Sequence, residues 1–206
     1  MKKLILHIAF TWWLHWSRFY QWCQTRKGGF FDVKLVSDSM IYNIKEKNFD
    51  LSMSGNIIPA EIGRYKRFWE VLSRCVTWTA DGPLQLWDVI QRPEYTIYTG
   101  KDDCDGFAHL AKYVFMDPLV VKTGLRTTEA FKSQGIWCTI SGFKGHAVAV
   151  YKSTISDRCI MISNYTLEMF DSVDTMSFWL EDKHFDFDYL VKVNSDLKGY
   201  RIERRK

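Results

Sequence analysis

Three apolar, partly β-branched runs follow one another between Gly135 and Ser163, with only short polar stretches between them. Gly135 to Ile140, His146 to Tyr151 and Cys159 to Ser163 each have the length and boundaries of a strand. Lys152 to Arg158 is polar and turn-like, so the last two runs pair as a hairpin. An antiparallel sheet is therefore expected in the second half, and Phe185 to Val193 alternates well enough to extend it. The first half repeats differently. Ile62, Tyr65, Phe68, Trp69, Leu72, Cys75 and Val76 mark one face of a helix that opens with Pro59 in its first turn. Asp103 to Phe115 is again helical, with Phe107, Leu110, Ala111 and Val114 on one face and Asp102 or Asp103 as N-cap. Helices first and antiparallel strands after them define an α+β domain.

The stretches between are less informative. Gly28-Gly29 closes a first helical segment, Phe31 to Val36 reads as a strand, and Asp81-Gly82-Pro83 is a turn. Leu84 to Gln91 is read as a further helical turn or two, stopped by Pro93. A chain of 206 residues with 47% hydrophobic side chains holds one medium-sized domain with a helical appendage. The division expected is an aromatic amphipathic helix over 1–28 and the main domain over 29–206.

Residues 4–10 follow Lys2 and Lys3 and resemble a secretory leader at first sight. His7 and Thr11 interrupt the run, no small-x-small cleavage site follows, and the stretch is too short to span a bilayer. Trp12, Trp16, Phe19 and Cys23 recur at helical spacing, so the segment reads as an amphipathic helix packed on the domain. The alternative is contact with a membrane surface or a partner. A net charge of +4 gives no support for nucleic-acid binding, and the C-terminal Arg201, Arg204, Arg205 and Lys206 read as a solvated tail. Five scattered cysteines without a CxxC pair fit a reducing compartment and indicate neither a metal site nor a redox pair. Cys75 and Cys159 lie in apolar patterns and read as small buried side chains.

Cys104 has different neighbours. It stands among Asp102, Asp103, Asp105 and Gly106, at the point where a loop becomes a helix. A thiol in the first turn feels the positive end of the helix dipole, which favours the nucleophilic thiolate. The flanking carboxylates oppose that, so a partner imidazolium is needed, and His146 at the start of a strand is the candidate. Asn164, about one hairpin later, is placed to accept the ring N–H and fix the imidazole. His109 lies five residues beyond Cys104 on the same helix and points away from it. His7, His15 and His184 lack a comparable context.

These residues resemble the transglutaminase-like superfamily, specifically its bacterial and phage cysteine-peptidase-like members. The resemblance rests on Lys101-Asp102-Asp103-Cys104-Asp105-Gly106-Phe107-Ala108, on Gly145-His146-Ala147-Val148 and on Ile162-Ser163-Asn164-Tyr165-Thr166. Arg92-Pro93-Glu94-Tyr95 resembles the family's approach segment, and the match runs over about residues 60 to 170. Two positions depart from the pattern: Gly106 replaces a common acidic residue, and Asn164 stands where Asp is more usual. Asp103-Cys104-Asp105-Gly106-Phe107 is also similar to the nucleophile motif of NlpC-like peptidoglycan endopeptidases, but the spacing to Asn164 favours the first family.

The resemblance implies a papain-like core and acyl chemistry on amide bonds of a protein or peptide through a Cys104 thioester, without a cofactor. Cys104, His146 and Asn164 would be the triad. The Cys104 N–H would supply part of an oxyanion hole, with Tyr98 as the nearest second donor; the spare aromatics Trp78, Trp87 and Trp137 either pack in the core or wall a substrate groove. Hydrolysis by a peptidase, isopeptidase or deamidase is the leading expectation. The alternatives are amine-acceptor cross-linking, peptidoglycan cleavage, and a non-catalytic binding module that keeps the fold. The expected setting is the cytoplasm or a phage particle.

Overall fold

The computed structural model describes residues 2–25, 60–80, 89–115, 119–122, 128–141, 144–183, 186–194 and 196–204. The strand expected at 31–36, the turn at 81–83 and Trp87 lie outside them. Five helices are described: α1 Lys2–Thr25, α2 Ala60–Ser73, α3 Pro93–Thr99, α4 Cys104–Val114 and α5 Val173–Lys183. The strands are β1 Thr77–Trp78, β2 Lys101–Asp102, β3 Leu119–Lys122, β4 Thr128–Ser141, β5 Lys144–Ser153, β6 Cys159–Ser163, β7 Thr166–Phe170, β8 Tyr189–Val193 and β9 Tyr200–Arg204. The fold is α+β, with an N-terminal helix.

The main sheet runs β7-β6-β5-β4-β8-β9, with β3 paired to the start of β4, and every pairing in it is antiparallel. β4 reaches two sets of neighbours because it is long, and a bulge at Ser133 and Gly135 bends it between them. The β5–β6 hairpin forms as expected, with β5 running on to Ser153 so that Lys152 faces Cys159. Alternation along β5 serves two cores. Ala147, Ala149 and Tyr151 join Phe107, Leu110 and Ala111 of α4. Val148 and Val150 join Met176 and Leu180 of α5 on the other side. The sheet is therefore covered on both faces, as its nearly unbroken apolar strands require.

Three sequence expectations need correction. Pro93 occupies the first turn of α3, where its fixed φ and missing N–H are tolerated, and of the helical turns expected over 84–91 residues 89–91 are not helical while 84–88 lie outside the described residues. Cys75 is exposed, because α2 ends two residues before it. The stripe of α1 read as its packing face points outward, with Trp12 67% and Phe19 51% exposed. The face that docks carries Phe10, Leu14 and Ser17. The Tyr200 hydroxyl on β9 meets Thr11 Oγ1 at 2.8 Å and donates to the His7 carbonyl at 2.7 Å. Farther along, Gln21 donates to the Ile90 carbonyl and the Ile90 N–H donates to Ser17 Oγ. Arg201 and Arg204 are solvent-facing as expected, but on an edge strand rather than a loose tail, where charge discourages further pairing.

Candidate active site

The approach to Cys104 is held from three sides. Gly100 closes α3 at φ +64°, a conformation that costs glycine little, and its N–H returns to the Thr96 carbonyl. β2 then pairs in parallel with β1, Thr77 opposite Lys101 and Trp78 opposite Asp102. Asp102 is 6% exposed. Its carboxylate accepts from the Thr96 hydroxyl, from the Asp103 N–H at 3.0 Å and from Gln91 Nε2 at 3.5 Å. Asp103 is the N-cap of α4, extended at φ −102°, and its side chain accepts from the Asp105 N–H at 3.1 Å. Cys104 thereby becomes the first residue of the helix, with its thiol partly buried.

The same geometry accounts for the glycine at position 106. A Cβ there would lie 2.0 to 2.3 Å from the three terminal atoms of the Asp102 carboxyl group. The carboxylate fills the space that any side chain at 106 would take, so Asp102 and Gly106 are one structural unit.

Cys104 and His146 line a single cavity of about 310 Å3. That volume is at the lower end of the range for small-ligand sites. Cys138 and Ile140 of β4 and Gly145 and Ala147 of β5 form its floor, while Leu6, Ala9, Phe10 and Trp13 of α1 close another side. Asp103, Asp105 and Lys144 supply its charge. His146 is 8% exposed, and its Nε2 lies 2.8 Å from Ser163 Oγ.

The position expected of Asn164 is thus taken by its neighbour. Ser163 is the last residue of β6 and is 4% exposed, which sets its hydroxyl on the imidazole. Asn164 begins the two-residue turn into β7 at φ +44°, a left-handed conformation that asparagine tolerates well. Its carbonyl accepts from the Trp69 indole at 2.8 Å, while its Oδ1 is buried and makes no hydrogen bond. No feature of the sequence singles out Ser163 over Asn164, because the choice depends on where the strand ends by one residue.

Other expected site residues lie elsewhere. Tyr98 is 62% exposed on α3 and does not line the cavity. Trp78 is half exposed on β1, its backbone N–H donating to Tyr165 Oη. Trp137 is buried on the α5 side with Lys192 Nζ 4.4 Å above its ring, so it is a core residue. Among the described tryptophans the one that lines the cavity is Trp13, beside Phe10. The signal for it was the second apolar stripe of α1, Leu6, Phe10 and Trp13, at helical spacing.

Two further groups are structural. Nδ1–H of His109 donates to the Gln91 carbonyl at 2.8 Å. Burial, with Lys112 adding to it, holds that imidazole down at about 4 against the favourable carbonyl contact. The Cys159 thiol is pushed up to about 12 by burial, which outweighs nearby Lys152, and it donates to the Ser172 carbonyl. A thiol of that kind is inert near neutrality.

Compared with protein-family models, curated proteins and solved structures, the chain matches none.

Proposed function

We propose that the protein performs thiol-dependent acyl chemistry on an amide bond, in the manner of transglutaminase-like cysteine hydrolases with a papain-like core. The observation that carries the reading is one cavity lined by a cysteine at the first position of a capped helix and by a histidine whose Nε2 lies 2.8 Å from a buried hydroxyl.

With Ser163 Oγ as acceptor, the imidazole carries its proton on Nε2, and Nδ1 is the base. In the reaction, the Cys104 thiol gives its proton to Nδ1 and the sulfur adds to the substrate carbonyl carbon. N–H groups at the first turn of α4 stabilise the oxyanion. The C–N bond then breaks, the leaving amine takes the proton from Nδ1, and a thioester remains on Cys104. Water, giving a proton to the same nitrogen, adds to the thioester carbonyl carbon; the C–S bond then breaks, the acid leaves and the Cys104 sulfur takes the proton back from Nδ1. The 310 Å3 cavity with its apolar α1 wall suits one side chain or a short peptide segment better than a broad surface. A primary amine replacing water would make the same intermediate a cross-link.

The test is competitive alkylation of the native protein with limiting iodoacetamide between pH 5 and 9, read by peptide mapping, with Cys159 as the internal inert thiol. Selective labelling of Cys104 below its ordinary thiol range of about 8.5, abolished in His146→Ala, is the expected result. Labelling of Cys104 no faster than exposed Cys75, with no effect of His146→Ala, would refute the dyad.

A further inference from the structure

We propose that the outward face of α1 is a docking surface for an anionic phospholipid bilayer, on which the helix lies flat while its opposite face stays on the protein. Leu4, Ile5, Ile8, Trp12, Phe19 and Trp22 follow one another along one side of the helix, and each is 49 to 67% exposed. An apolar stripe of this length on a folded domain, with exposed His15 within it, marks an interaction site. The aromatic part is already organised. Trp12 and Trp16 stack at 6.1 Å with their planes 6° apart, and the series continues through Phe19 to Trp22 at 5.5 and 5.9 Å. Rings held against one another lose little further rotamer freedom on binding.

The chemistry of the helix selects the occupant. Tryptophan and phenylalanine beside aliphatic residues suit the boundary between headgroups and acyl chains, where an apolar ring and a polar indole N–H are both accommodated. Residues 2–25 include Lys2, Lys3 and Arg18 and no Asp or Glu. Lys3 at the start of the helix and Arg18 beside Phe19 are both exposed and supply positive charge for lipid phosphate groups. A second copy of the chain is disfavoured by the same fact. Two such helices packed face to face bring like charges together with no carboxylate on either to offset them.

Crossing the membrane is also disfavoured. Among the described residues no helix is long and apolar enough to span one. The inner face of α1 is committed to Phe10, Leu14 and the bonds to Tyr200 and Ile90. What remains is a helix of 24 residues, about 36 Å long at 1.5 Å per residue, lying parallel to the surface.

The full chain would be mixed with sucrose-loaded vesicles of pure phosphatidylcholine and with vesicles that are roughly one third phosphatidylglycerol. Sedimentation and tryptophan emission are the readouts. Binding to the anionic vesicles with a blue-shifted emission is expected, weakened by salt. It should fall at least about tenfold in Trp12→Gln/Phe19→Gln, and Lys3→Glu/Arg18→Glu should remove the preference for anionic lipid. All four positions are exposed, so an unchanged circular dichroism spectrum certifies each variant. The proposal fails if neither vesicle is bound, or if Trp12→Gln/Phe19→Gln binds as well as the parent. It also fails if light scattering shows a dimer that this variant dissolves, because the stripe then meets a second copy.

Discussion

Gly106→Ala is the substitution whose effect can be worked out most completely. Alanine is ordinarily preferred to glycine inside a helix by up to about 1 kcal/mol. Here its Cβ would fall 2.0 Å from Asp102 Cγ and 2.1 and 2.3 Å from the two carboxylate oxygens. The aspartate side chain is short and cannot bend away while keeping its bonds to Thr96 and the Asp103 N–H. Moving it loses hydrogen bonds to a buried charged group, about 1.5 to 3 kcal/mol, and crowding the site adds roughly 1 to 3 kcal/mol. After the helical gain, a net loss of about 3 kcal/mol remains. The assay is urea unfolding at constant m in a double-mutant cycle with Asp102→Ala, which removes the obstacle. In that background Gly106→Ala should be neutral or stabilising, leaving a coupling of at least about 2 kcal/mol. An equal cost in both backgrounds, or a change within about 0.5 kcal/mol in the parent, would show that the carboxylate does not occupy the space.

Two other outcomes follow from the site and its surroundings. Ser163→Ala removes the hydroxyl on His146 and should slow Cys104 alkylation about tenfold, the equivalent of one hydrogen bond of roughly 1.4 kcal/mol. Asn164→Gly keeps the left-handed turn and should change that rate by less than about twofold, and the reverse order would return the orienting role to Asn164. His109 is held at about 4 against an ordinary 6.5, so below pH 6.5 the unfolded chain takes up a proton that the folded one refuses. Its contribution is complete above pH 6.5 and is lost as the pH falls toward 4, by about 3 kcal/mol. Stability measured across that window should fall in the parent and flatten in His109→Asn; parallel profiles would contradict the assignment.

The sheet and the Cys104 helix were legible for the same reason. β6 begins and ends at the residues its apolar run predicts, and Asp103 caps α4 as its side chain and position suggest. Local chemistry decides both. What was not legible depends on contacts between distant parts of the chain. α1 has two apolar stripes, and periodicity cannot say which one faces a core; the Trp12 stripe was chosen and the Phe10 stripe docks. Pro93 can end one helix or begin the next. Within the site, Cys104 and His146 reach the same cavity, while the third position moved by one residue to Ser163. In sequence Trp137 suits a groove and a core alike, and only the packing of α5 assigns it to a core.

The Trp-rich first helix is the kind of terminal segment that is trimmed from an expression plasmid to improve yield. Cloning from residue 26 onward would delete Leu6, Ala9, Phe10 and Trp13, and with them one wall of the cavity that holds Cys104. It would also strip the cover from Tyr200 and from the segment at Ile90. A shortened protein that failed to react would then report a missing wall, and its silence should not be taken as the absence of an enzyme.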